Sequence, residues 1–162
     1  MPRSPVRRLY QERGFAEYLL ADPNYVAHIP AGLAPLDAAP LICAGITTYK
    51  GIKETEAKPG EWIAISGCGG LGMTRKRGTC VLVGLPPGEF PVPLFAVVAN
   101  CITIRGSFVG TRHDMAEALA FATEGKVKAD IELQPLSAIN QIFNRLEHGD
   151  VASRVVLDFM ED

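Results

Sequence analysis

The sequence predicts an α/β fold built on a mainly parallel sheet. Three observations carry this. Short apolar runs with strand character alternate with segments of helical period in the order β-β-α-β-β-α-β-α-β-α-β. The run at 62–66 is almost continuously apolar, as in strands buried on both faces. It leads straight into Gly67-Cys68-Gly69-Gly70-Leu71-Gly72, a G-x-G-x-x-G turn of the kind that brings backbone N–H groups to a pyrophosphate.

The elements follow in order. Residues 1–13 mix Pro, Arg and Gln without apolar period and read as a disordered leader. Residues 15–21 and 25–29 read as two short strands separated by the turn chemistry of Asp22-Pro23-Asn24. A helix is expected over 37–52, capped by Asp37, with Pro40 in its first turn and Leu41, Gly45, Thr48 and Ile52 at helical spacing. Lys58-Pro59-Gly60 turns into the strand at 62–66. After Gly72 comes Met73-Thr74-Arg75-Lys76-Arg77-Gly78, a basic connector where a βαβ helix belongs. Strands are expected at 79–83 and 101–108, with a helix over 94–100 between them. Thr111-Arg112-His113-Asp114 has the form of a capping box and opens a helix with Met115, Leu119 and Ala122 on one face and Gly125 at its end. A strand near 131–133 precedes a helix capped by Ser137, carrying Ile139, Ile142, Phe143 and Leu146 and stopped by Gly149. Residues 154–159 close as a strand.

Composition narrows the function. The chain has 162 residues, 48% of them hydrophobic, enough for a globular core. Sixteen basic and 18 acidic residues leave a formal charge of −2, which gives no field for nucleic acid or an anionic membrane. No apolar run approaches the ~18–20 residues that span a bilayer, and a cytoplasmic location is the expectation. The cysteines at 43, 68, 80 and 101 form no C-x-x-C pair and read as free buried thiols. His28, His113 and His148 show no metal-ligand spacing.

Taken together, GFAEYLLADPNYVAHIP, APLICAGITTYKGIK, KPGEWIAISGCGGLG, VGLPPGEFPVPLF, ITIRGSFVGTR, AEALAFATEGKVKA and SRVVLDF resemble the C-terminal part of bacterial zinc-dependent alcohol dehydrogenases of the medium-chain dehydrogenase/reductase family, over about residues 14–160. The resemblance implies a Rossmann-type domain over 37–150, a β-edge remnant of a GroES-like catalytic domain over 14–36, and a strand over 151–162 that returns to that remnant. It also implies zinc as Lewis acid and NAD as hydride acceptor. Carried over position by position, Cys43 matches a catalytic zinc ligand, and Thr47, the catalytic candidate, stands beside the nicotinamide. Gly67, Gly69, Gly70, Leu71 and Gly72 match the pyrophosphate loop. Val83, Gly84 and Leu85, with Ser107, Phe108 and Val109, match backbone facing the nicotinamide ring, and Arg154 matches a basic residue reaching the cofactor's phosphates.

Departures from the family pattern bear on activity. The family's other two zinc ligands have no counterpart before Gly14, and a single thiolate does not hold catalytic zinc. On the order of 90 residues, about three βα units of ~30 each, have no counterpart between Gly72 and Met73. The acidic ribose ligand expected ≈20 residues past the glycines falls in that gap, and Glu89, near that distance, lies in a proline-glycine loop. The expectation is a truncated, internally deleted oxidoreductase of impaired or absent activity. Its substrate, if active, is a small alcohol or aldehyde, and its partner a second copy. The alternative is a non-catalytic remnant that associates with full-length subunits through 102–108.

Overall fold

The computed structural model describes residues 15, 19, 21–58, 60–61, 63, 74–84, 88–89 and 91–159. The leader expected at 1–13, the strand expected at 62–66 apart from Ile63, most of that at 15–21, the glycine loop and Leu85 lie outside the described residues. Contacts divide the chain into two compact units, residues 42–118 and residues 1–41 with 119–162.

The unit of 42–118 is built around helix α2 (Ile46–Glu54) and two βα segments. Strand β1 (Thr79–Leu82) leads through α3 (Leu94–Ala99) to β2 (Thr103–Gly106). The two strands pair in parallel, with Thr79 opposite Thr103 and Leu82 opposite Gly106. A parallel pair needs a crossover of this kind, and the helical run at 94–99 supplies it. Residue Arg77 donates its N–H to Asn100 O at 2.8 Å, which fixes the entry to β1 beside the end of α3. Ile46 is 1% exposed and Cys80 lies buried in the middle of β1. Arg105 on β2 holds the far end of α2, donating to Glu54 O and Glu54 Oε2 at 3.1 Å and to Glu56 Oε1 at 2.9 Å.

The other unit repeats the parallel arrangement. Strand β3 (Ile131–Pro135) passes through a 3-10 turn (Leu136–Ala138) and helix α5 (Ile139–His148) to β4 (Arg154–Asp158), with Ile131 opposite Arg154 and Pro135 opposite Asp158. Ala38, Leu41, Leu119, Ile142 and Val156 are its buried side chains. Helix α5 ends where expected: Gly149 takes φ 75° and its N–H bonds back to Leu146 O at 3.2 Å, while Asp150 N–H reaches Arg145 O at 2.9 Å. Ser137 does not cap it. The residue falls inside the 3-10 turn, α5 starts from Ala138, and no side chain caps that end.

One ion pair joins β3 to α5. Arg145 donates from both terminal nitrogens to Glu132, at 2.6 and 2.9 Å, and Gln134 adds a third bond at 2.8 Å. Arg145 foremost, then Gln134, holds the Glu132 carboxyl down from its ordinary 4.5 to about 2. A depressed carboxylate stabilises the fold above its unfolded value, and that contribution disappears as pH falls through the folded value. The stability gap between the native chain and Glu132→Gln should therefore be full at pH 7 and shrink between about 4.5 and 2, read as urea midpoints at each pH.

Two further sequence expectations give way. Residues 25–29 form no strand: Asp22 Oδ1 accepts Asn24 N–H at 2.9 Å, and Pro23–Tyr25 tighten into a 3-10 turn. The turn thus consumes Tyr25, and 26–30 follow without a strand partner among the described residues. The helical stretch expected from Asp37 begins earlier, as α1 (Pro35–Ala38), with Pro35 in the position expected of Pro40 and Ala34 as N-cap. Asp37 sits in the first turn, where its charge suits the helix dipole. Pro40 then removes a donor and crowds the preceding turn, and the chain widens into one π turn, Leu41–Gly45, before α2 resumes at Ile46.

Candidate functional site

The carboxyl ends of β1 and β2 are where an open parallel sheet presents a ligand. Val83 and Gly84 leave β1 there, and Ser107, Phe108 and Val109 leave β2. The two exits are tied together, since Ser107 N–H donates to Leu82 O at 2.9 Å. The Ser107 side-chain oxygen is buried without a hydrogen-bond partner. A buried hydroxyl in that state is costly, and it is the kind of group that a bound polar ligand satisfies. Phe108 stands 74% exposed beside it. Val109 adopts φ 51°, a left-handed conformation that is a genuine outlier for a β-branched residue.

Helix α2 closes over this edge through two contacts in which a side chain is missing. A Cβ on Gly51 would lie 3.3 Å from Val83 Cγ1, so the glycine lets α2 approach the end of β1. A Cβ on Gly110 would lie 2.7 Å from Ile46 Cγ1 and 3.0 Å from its Cδ1. Ile46 thereby sets the first turn of α2 against the backbone just past Val109. Thr47 is the next residue along the helix. Its hydroxyl donates to Cys43 O at 2.6 Å, and Thr48 Oγ1 bonds to Ala44 O and Gly45 O, each at 2.9 Å. These back-bonds satisfy carbonyls in the π turn, in keeping with helical threonines that bond their own backbone.

Cys43 occupies the middle of the π turn and is exposed rather than buried. Cys101 is also exposed and free, and Cys80 alone among the described cysteines matches the buried reading. No group of three or more His, Cys, Asp or Glu side chains is placed to hold a metal among the described residues. The structure thus brings Cys43, Thr47, Val83, Gly84, Ser107, Phe108 and Val109 into one unit. Arg154 belongs to the other unit, at the exposed start of β4, with its N–H on Asp130 O at 3.1 Å. Gly67, Gly69, Gly70, Leu71, Gly72 and Leu85 fall outside the described residues.

Sequence reasoning missed a polar cluster next to this edge. Lys53 donates to Asp114 Oδ1 and to Glu117 Oε2, each at 2.8 Å, and Tyr49 donates to the same Glu117 oxygen at 3.1 Å. Hydrogen bonds from Lys53, then from Thr111, hold the Asp114 carboxyl far below the usual carboxylate range, while Asp114 and Glu117 push the Lys53 ammonium well above its own. The capping box itself was legible in TRHD. Its connection to Lys53 spans 61 residues, and no local pattern signals it.

Parallel strand pairs joined through helices, β1 with β2 and β3 with β4, are the arrangement of a Rossmann-like fold. Known proteins similar to the chain agree with this fold. A family model described as zinc-binding dehydrogenase matches residues 69–124. An alcohol dehydrogenase of Moraxella sp. (strain TAE123) is 36% identical over 217 residues, covering 90% of this chain and 64% of its own length. That stretch exceeds the 162 residues of the present chain, so the relative carries internal residues with no counterpart here. Among solved structures, a cinnamyl alcohol dehydrogenase from Sorghum bicolor superposes with TM-score 0.74 at 21% identity, over 86% of this chain and 60% of its own. An acetophenone reductase from Geotrichum candidum, solved in complex with NAD, gives TM-score 0.52 at 30% identity, over 57% and 27% of the two chains. The chain is thus similar to zinc-binding dehydrogenases over residues 69–124 and, over most of its length, to alcohol dehydrogenases. It spans about 64% of the length of the curated relatives. Among the described residues no helix is long and apolar enough to cross a membrane.

Proposed function

We propose that the chain is an alcohol dehydrogenase-type oxidoreductase that keeps the nicotinamide side of the NAD(H) site and has impaired turnover. One observation carries the reading: the unpartnered Ser107 hydroxyl, buried where β1 and β2 end side by side. A nicotinamide carboxamide has both a donor and an acceptor for such a group. When bound, NAD supplies the hydride acceptor, and the chain supplies the surface that orients it. Backbone at Val83, Gly84 and Leu85 and at Ser107, Phe108 and Val109 holds the ring edge, with Thr47 on the facing helix. Gly67, Gly69, Gly70, Leu71 and Gly72 are the residues that would take the pyrophosphate.

Among the described residues no catalytic zinc site is assembled. Such a site takes three protein ligands and an open position. Cys43 is the position that corresponds to a ligand, and no set of three is assembled around it among the described residues. No step through zinc follows for this chain. The substrate is a small alcohol or aldehyde, and a second copy meeting the 102–108 segment, where Phe108 is exposed, is the partner.

The test is zinc content after dialysis, measured with NADH binding and with alcohol-dependent NAD reduction. Zinc well below one per chain, saturable NADH binding with Kd on the order of 1 mM, and turnover near background are expected. Stoichiometric zinc with brisk alcohol oxidation would overturn the impairment, and absence of NADH binding would overturn the cofactor reading.

A further inference from the structure

The segment 107–111 is strained, and both of its ends are tied. Ser107 N–H anchors one end to Leu82 O at 2.9 Å. At the other end Thr111 donates its N–H and its hydroxyl to Asp114 Oδ2, at 2.8 and 2.7 Å. The second Asp114 oxygen takes Lys53 Nζ at 2.8 Å, across to α2. Asp114 is 3% exposed, so the carboxylate end of this link is buried, while the Lys53 side chain remains 39% exposed. Between the ties lies Val109 at φ 51°, and Gly110 has no room for a side chain beneath Ile46. Strain of this kind persists only where the surroundings over-determine it. Here the surroundings are one backbone bond to β1 and one ion-paired bridge to α2.

We propose that Lys53 and Asp114 are positioning residues for the ring edge: through Thr111 they clamp segment 107–111 onto α2, hold Val109 left-handed, and so fix the edge Ser107–Val109 relative to Thr47. Neither lies among the residues assigned to the cofactor. The functional consequence rests on the nicotinamide reading above, whereas the clamp itself is a property of the unliganded chain. Lys53 also pairs with Glu117, and that second bridge keeps its ammonium directed at helix α4 (Arg112–Thr123).

The experiment uses the whole isotope-labelled chain with Lys53→Met, Asp114→Asn and the conservative Lys53→Arg, and Glu132→Gln as a control in the other unit. Backbone carbon shifts of Val109 report its φ without ligand, and NADH is then titrated. The native chain, Lys53→Arg and Glu132→Gln should keep the left-handed shift pattern and the same NADH affinity. Lys53→Met, which leaves the Thr111–Asp114 cap in place, and Asp114→Asn should lose the pattern and bind NADH roughly ten- to hundredfold more weakly. Retention of the Val109 pattern in folded Lys53→Met would overturn the clamp. An unchanged NADH affinity despite a lost pattern would overturn the positioning role. A native chain that shows the clamp but no response to NADH would overturn the cofactor reading and leave the clamp standing.

Discussion

Ile46→Ala is expected to cost about 2–5 kcal/mol, measured by urea unfolding, because Ile46 is 1% exposed and spans from α2 to the backbone at Gly110. Truncation removes apolar contact and leaves a void against the backbone at Gly110. The reciprocal change, Gly110→Ala, forces a methyl to within 2.7 Å of Ile46 Cγ1 and 3.3 Å of Asp114 Cβ, and should cost about 1–3 kcal/mol by overpacking. The two changes are coupled. In the double variant the methyl added at position 110 enters space that the isoleucine side chain has vacated, so the summed cost should fall short of additivity by about 1 kcal/mol or more. Strict additivity would mean that Ile46 and Gly110 do not define one contact.

Asp114→Ala should cost about 2–3 kcal/mol by the same measurement. The carboxylate accepts from Thr111 N–H, Thr111 Oγ1 and Lys53 Nζ, and Asp114 N–H in turn donates to Thr111 Oγ1 at 3.2 Å. It therefore caps α4 and bridges to α2 at once. Asp114→Asn should cost less, since an amide oxygen can still accept from Thr111 while the ion pair is lost. The pH dependence has a definite sign. The folded carboxyl is held below its unfolded value, so the native chain binds its proton later than the unfolded one as pH falls. The advantage of native over Asp114→Ala should be full near neutrality and diminish below about pH 4. An advantage that grows on acidification would contradict the hydrogen-bonding assigned to Asp114.

Much of the architecture was legible because it depends on neighbours in sequence. Strands β1, β2, β3 and β4 fall within or close to apolar runs that alternate with helical period, and a parallel pairing follows once each pair is joined through a helix. The TRHD box and Gly149 worked because capping is decided within four residues. The failures are non-local or depend on competing local bonds. Residues 25–29 have strand composition, but a strand needs a partner ladder, and the Asp22 cap draws Tyr25 into a turn instead. Pro40 fits a first helical turn by itself, yet Pro35 already holds that place, and the second proline becomes the origin of a π turn.

The candidate site divides in the same way. Cys43, Thr47 and the two strand exits were placed by resemblance, and the described fold brings them into one unit. Lys53, Asp114 and the contact of Ile46 with Gly110 join segments about sixty residues apart, and only the folded chain brings them together. The exposure of Cys43 was likewise beyond a hydropathy reading. An apolar run suggests burial, but the π turn carries the thiol to the surface.

The most direct measurement is saturation-transfer NMR on the native chain with NADH, comparing the nicotinamide protons with the adenine protons. An edge formed by Val83–Gly84 and Ser107–Val109 that holds the nicotinamide, as proposed, predicts stronger transfer to the nicotinamide, lost on addition of excess unlabelled nicotinamide mononucleotide. Transfer confined to the adenine protons, or none to either ring, would contradict the account.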